Sequence, residues 1–161
     1  MMSKFLEAFL PAKADNTIRG TKWPFYVFVA VAAVGTVRSF IHILSPDGGA
    51  GSIAGMDLSV QGASGIIFAF ALWGGEQLVY AVLQWVVILH YRSLVPLMWA
   101  VQFLETLLRV VVGHLKPVMF AHTPPGEIGN YVFLPLALGM LGFSLWSAYR
   151  RQSLKTNDTN L

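Results

Sequence analysis

Residues 24–44 read PFYVFVAVAAVGTVRSFIHIL, and this stretch decides the fold. An α-helix rises about 1.5 Å per residue, so about 20 apolar residues are needed to cross the roughly 30 Å hydrocarbon core of a bilayer. The stretch has that length and carries one full charge, Arg38. Trp23 ahead of it is a natural interfacial anchor, and Pro24 suits the first helical position, where no amide donor is needed. Three more segments meet the same condition, at about 63–89, 94–115 and 131–149. The pattern predicts an all-α integral membrane protein, an up-down bundle of four transmembrane helices spanning residues 23–150.

Composition points the same way. Of 161 residues, 55% are hydrophobic and 12% charged. A soluble domain carries about 25% charged residues, so this chain has too little polar surface to cover a globule in water. There is no cysteine, which excludes disulfides, thiolate metal sites and cysteine nucleophiles. The net charge of +3 is not gathered into a basic patch, so nucleic acid is not an expected partner. Residues 1–22 mix Lys4, Glu7, Lys13, Asp15 and Arg19 with a short apolar cluster and lack a cleavage signal. They are expected to form a cytoplasmic segment, with an interfacial helix near residues 2–10 as one form of it. The polar end, residues 151–161, is expected to be an unstructured cytoplasmic tail. No internal repeat stands out.

Basic residues set an orientation. Lys4, Lys13, Arg19 and Lys22 precede the first span, Arg92 lies between the second and third, and Arg150, Arg151 and Lys155 follow the fourth. The loop at 45–62 has no Lys or Arg, and the loop at 116–130 has only Lys116. The positive-inside rule puts both termini and the turn near 90–93 in the cytoplasm, as for a bacterial cytoplasmic (inner) membrane protein. The first outer loop is rich in Gly and Ser and is expected to fold back over the bundle. The second carries a Pro-Pro-Gly turn signal at 124–126.

Four charged residues fall inside the spans: Arg38, Glu76, Glu105 and Arg109. A charge at the bilayer centre costs about 2.5–3.5 kcal/mol on insertion scales, so such groups tend to face the interior and find partners. From the helical rise, Arg38 and Arg109 lie about 9 Å below the outer surface, and the two glutamates about one turn deeper. Two carboxylates at mid-depth beneath two guanidiniums are therefore expected to form an intramembrane charge network. Residues four apart share a helix face, so Gln102, Glu105 and Arg109 form one seam, and Arg38 and His42 another. Trp73, Glu76, Gln77, Tyr80 and Gln84 are expected to form a third. Span four offers only Gly139, Gly142, Ser144 and Ser147, small residues suited to close helix approach, and is assigned to packing support.

Histidines raise the question of haem or metal. His42 and His114 lie at similar depth, which allows a bis-histidine b-type haem. However, His114 is about 180° around the helix from Glu105, which turns it away from the interior. No H-x-x-x-H or H-E-x-x-H spacing supports a metal site. No lysine lies within a span for a retinal Schiff base, arginine is not repeated along a helix as in a voltage sensor, and the spans show no phosphate-cradling glycine motif.

The sequence thus points to a site for a lipophilic or amphipathic small molecule of lipid, quinone or isoprenoid type, opening to the outer side. Arg38 and Arg109 would bind an anionic or carbonyl head group, held by Glu76 and Glu105, with Tyr80, Gln77, Gln84 and Gln102 orienting it. His42, Glu76 and Glu105 are the residues that acid–base catalysis on a lipid-soluble substrate would use. A structural subunit whose charges only fix helix register is the other alternative. A second copy, or a partner membrane subunit, would dock through span four.

Overall fold

A computed structural model of the protein describes residues 2–158. Among these residues the regular structure is helical throughout: α1 (Met2–Phe9), α2 (Trp23–Leu44), α3 (Ala63–His90), α4 (Val95–Leu115) and α5 (Pro125–Asp158), with a single 3₁₀ turn at Arg92–Leu94 before α4. Helices α2 to α5 supply four segments long and apolar enough to cross a membrane. Their outward faces are apolar along their lengths: Leu72, Leu104, Leu108, Val112 and Leu138 are all more than half exposed. On a water-soluble protein so continuous an apolar surface would be a liability; against hydrocarbon it is the matching surface.

The helices pack as two pairs, α2 along α3 and α4 along α5, with sparser contact between the pairs. The pairs close on each other at the end that carries the 91–94 turn. There Phe28 and Trp99 are fully buried and meet edge to face, with ring centroids 5.5 Å apart, among Ile88, Val95 and Ala137. The Trp99 indole donates to the Pro24 carbonyl at 3.1 Å, so the one polar group of the largest buried ring is satisfied by the backbone of the first turn of α2. The chain between α1 and α2 ties into this end: the Asp15 amide donates to the Ser93 hydroxyl (2.9 Å), and the Thr21 amide to the Ser147 hydroxyl (3.0 Å). Helix α1 lies against α5 through Phe5 stacked on Tyr149, with centroids 4.8 Å apart.

At the opposite end the two long loops meet, the Ala121 amide donating to the Gly55 carbonyl at 3.0 Å. The 45–62 loop folds back over the helices. Gly48, Gly49 and Gly55 adopt positive φ, and the Asp47 carboxylate accepts from the Gly49, Gly51 and Ser52 amides, which wraps the turn around one side chain.

Helix α5 departs most from expectation. It begins at Pro125, six residues before the expected span, because Pro125 needs no amide donor in a first turn and Glu127 suits the helix N-terminus. At the other end the expected unstructured tail is helix as far as Asp158; residues 159–161 lie outside the described residues. The small residues of α5 also act differently. Gly139 and Gly142 face open space, and its close contacts are made by Ala137, Ser144 and Ala148.

Candidate functional site

Because the helix pairs close at the turn end and diverge toward the loops, a cavity of about 780 Å³ opens between them. Small-molecule sites commonly enclose about 300–1,000 Å³. Apolar side chains make most of the wall, including Val34, Ile41, Phe70, Val110 and Phe133, and the folded-back loop adds Ile53 and Ala54.

The floor is polar and hydrogen-bonded. Gln84 on α3 donates to Gln102 on α4 at 3.2 Å, and Gln102 donates to the Glu105 carboxylate at 3.1 Å. Glu105 accepts from Arg109 at 2.6 Å. Both members of this ion pair sit on α4, so the pair does not itself hold one helix against another. The Gln84–Gln102 bond crosses between helices and fixes α3 against α4.

Arg38 stands apart from this chain. Its Nε donates to His42 Nε2 at 3.3 Å, its Cζ lies 4.6 Å from the Trp73 ring centroid, and a Cβ at Gly126 would stand 3.2 Å from its Nη2. Three helices, α2, α3 and the first turn of α5, thus converge on one guanidinium. Among the described residues it makes no ion pair. Cation–π contact with Trp73 spreads its charge without neutralising it.

His42 is fixed in one tautomer by its neighbours. Its Nδ1 lies 2.7 Å from the Gly48 carbonyl, which can only accept, so Nδ1 carries the proton. Nε2 then accepts from Arg38. Both ring nitrogens of the neutral imidazole are in use, and the side chain is buried. Gly74 makes this position possible: a Cβ there would lie 2.6 Å from the His42 Cβ and 3.1 Å from the Ser39 carbonyl. His42 therefore pins the 45–62 loop and positions Arg38, with both ring nitrogens engaged. His114 lines the mouth, exposed, with Nδ1 2.8 Å from the Val110 carbonyl of its own helix. Among the described residues no group of three or more His, Asp or Glu could hold a metal ion.

The cavity brings together Arg38, His42, Gln77, Tyr80, Gln84, Gln102, Glu105 and Arg109. Glu76 corrects the expected seam. It is exposed on the outward face of α3 and lines no part of the cavity. The reason is angular: Trp73, Gln77, Tyr80 and Gln84 recur at four, three and four residues and track one stripe, whereas Glu76 is turned about 100° from Gln77. The expected balance of two positive and two negative charges is therefore lost. Three basic side chains (Arg38, Arg109 and Lys116) line the cavity against two carboxylates, Glu105 and Glu127. No family model, curated protein or solved structure matches this chain.

Among the described residues two polar atoms in the site are buried without a well-formed hydrogen bond, the Tyr80 hydroxyl and Arg109 Nε. Such groups cost about 1–3 kcal/mol each when left unpaired. Residues from α5 also join the wall, Gly126, Glu127, Asn130 and Phe133 among them, although span four is assigned in the sequence to packing alone. The signal available was Pro125: a proline preceded by a turn residue starts a helix as readily as it marks a loop.

Proposed function

We propose that this chain is a four-span inner-membrane bundle, with both termini and the 91–94 turn in the cytoplasm. Its cavity would hold an amphipathic small molecule with an anionic head group, opening to the outer side. The observation that carries this reading is Arg38: a guanidinium on the wall of a largely apolar cavity, with no carboxylate in ion-pair contact with it among the described residues. An uncompensated charge away from water is stabilised by an opposite charge brought in by a ligand. Among lipid-, quinone- and isoprenoid-type molecules, those with an anionic head group answer this need and a neutral quinone does not. The head group would sit between Arg38 and Arg109, with the Tyr80 hydroxyl donating to it. The apolar tail would lie along Val34, Ile41 and Phe133, and the gap between the helix pairs would give it access from the bilayer.

The distribution of Lys and Arg supports the orientation, since the residues gathered at the turn end include Lys13, Arg19, Lys22 and Arg92. Neither alternative draws the same support. His42 is engaged at both nitrogens, unlike a free general base, and the Glu105–Arg109 pair lies within one helix, unlike a register-setting bridge.

Native mass spectrometry of the full chain, released from membranes in mild detergent, tests the reading. The expected spectrum carries one stoichiometric adduct with the mass of a membrane amphiphile that bears an acidic head group. That adduct should be lost in Arg38→Gln and kept in Arg38→Lys. A bare wild-type mass, or an adduct indifferent to Arg38→Gln, overturns it.

A further inference from the structure

Glu76, displaced from the cavity, lies at the centre of α3 on its outward face. Leu72, Val79 and Leu83 surround it on the same stripe, each more than half exposed. Among the described residues it makes no ion pair or hydrogen bond. In a chain that spans the bilayer this position is the middle of the hydrocarbon, where a carboxyl group finds neither water nor lipid head group to bond. Hydrocarbon disfavours the isolated carboxylate strongly, and a neutral carboxyl still holds one donor and one acceptor that need partners.

We propose that two copies of this chain associate in parallel through this face of α3, with the two Glu76 carboxyl groups hydrogen-bonded to each other. The chemistry of the stripe selects a second copy. A two-fold axis along the membrane normal brings each residue to its own counterpart at the same depth. A neutral carboxyl donates and accepts at once, so its natural counterpart is another carboxyl. Around it the face is apolar and uncharged, and Gly65 and Gly75 have open space about them, which lets two backbones approach closely. Among the described residues the exposed basic groups of the membrane helices, His90, His114, Arg150 and Arg151, sit toward helix ends, so a second copy brings no cation to this depth. The exposed face of α5 at Leu138, Gly139 and Gly142 carries no polar group that calls for a partner. The pairing moves the dimer contact from span four to span two and leaves the cavity free.

Two measurements on the full chain test this. The first is disulfide cross-linking in membranes, clean because the native chain has no cysteine. Leu72→Cys should cross-link and Leu138→Cys should not. The second is native mass spectrometry from lipid nanodiscs of wild type, Glu76→Gln and Glu76→Leu. The amide also donates and accepts, so wild type and Glu76→Gln should be dimers. Glu76→Leu, more apolar and so no obstacle to insertion, should lower the dimer fraction at least tenfold. A monomeric wild type, a dimer that survives Glu76→Leu, or cross-linking through Leu138→Cys in place of Leu72→Cys overturns the proposal. So does a monomeric Glu76→Gln, because the amide can form the same paired hydrogen bonds.

Discussion

At the turn end Trp99 is fully buried and its indole reaches the Pro24 carbonyl; on the cavity wall above it the Tyr80 hydroxyl is also buried, with no well-formed hydrogen bond among the described residues. The same two helix pairs build both ends. At the turn end large, shape-matched side chains such as Phe25, Phe28, Ile88 and Trp99 fill the space between them. Toward the loops the inward positions carry Gly35, Arg38, Gln77 and Glu105, which are small or polar and leave about 780 Å³ open. One end is built to hold the helices, and the other leaves hydrogen-bonding capacity unspent. In a membrane this difference carries weight, because lipid tails are as apolar as any core and helix association relies on close packing and hydrogen bonds.

Substitutions at the two ends should separate stability from binding. The largest stability effect is expected from Trp99→Ala, which removes a fully buried ring together with its bond to Pro24. It should destabilise the protein by about 3–5 kcal/mol in thermal or denaturant unfolding in detergent. A loss well under 1 kcal/mol would show that the turn end is not the anchor. Gly74→Ala should come next, because the new methyl meets the His42 Cβ and the Ser39 carbonyl of α2. A destabilisation of about 1–3 kcal/mol is expected, with weakened ligand retention as His42 shifts under Arg38.

Arg38→Gln inverts the pattern of Trp99→Ala. It should leave the unfolding midpoint near wild type and lower affinity for an anionic amphiphile about tenfold or more, the worth of a charged hydrogen bond. Lipid-exchange measurements read this directly. Tyr80→Phe sharpens the contrast further. Removing an unpaired buried hydroxyl should stabilise the unliganded protein by about 1 kcal/mol while weakening ligand binding. A destabilised Tyr80→Phe variant would mean that the hydroxyl is already satisfied and the cavity less open than described.

The smallest effect belongs to the loop that covers the cavity. The Ser52 and Gly49 amides bonded to Asp47 hold its carboxyl well below the ordinary 3.8, at about 2. For a depressed carboxyl, the stabilisation is fully present above the ordinary value and is lost as pH falls through the lowered one. Protection of the Gly49, Gly51 and Ser52 amides against hydrogen exchange should therefore hold down to about pH 4 and fade toward pH 2. In Asp47→Asn it should be weaker at every pH.

Legibility in the sequence divided along the same line. Arg38 with His42, and Gln102 with Glu105 and Arg109, were readable because each group lies on one helix and its spacing follows the 3.6-residue period. Trp73, Gln77, Tyr80 and Gln84 were readable for the same reason. Glu76 was misplaced by a single step, since a neighbour in sequence is about 100° away in space. The first turn of α5 was missed because Pro-Pro-Gly signals a loop and a helix start in the same residues.

By itself the sequence determined that the chain has four apolar helices of membrane-spanning length, because length and hydropathy act locally and the backbone groups between a helix's end turns are satisfied within the helix. It also determined which residues share a face of each helix. Only the tertiary structure decided how those faces meet: that the pairs close at Trp99 and part at Arg38, that His42 serves the guanidinium and the loop at once, and that Glu76 looks outward. These depend on the rotation of one helix against another, which is set by side-chain packing between distant segments, and no spacing within a single segment records it.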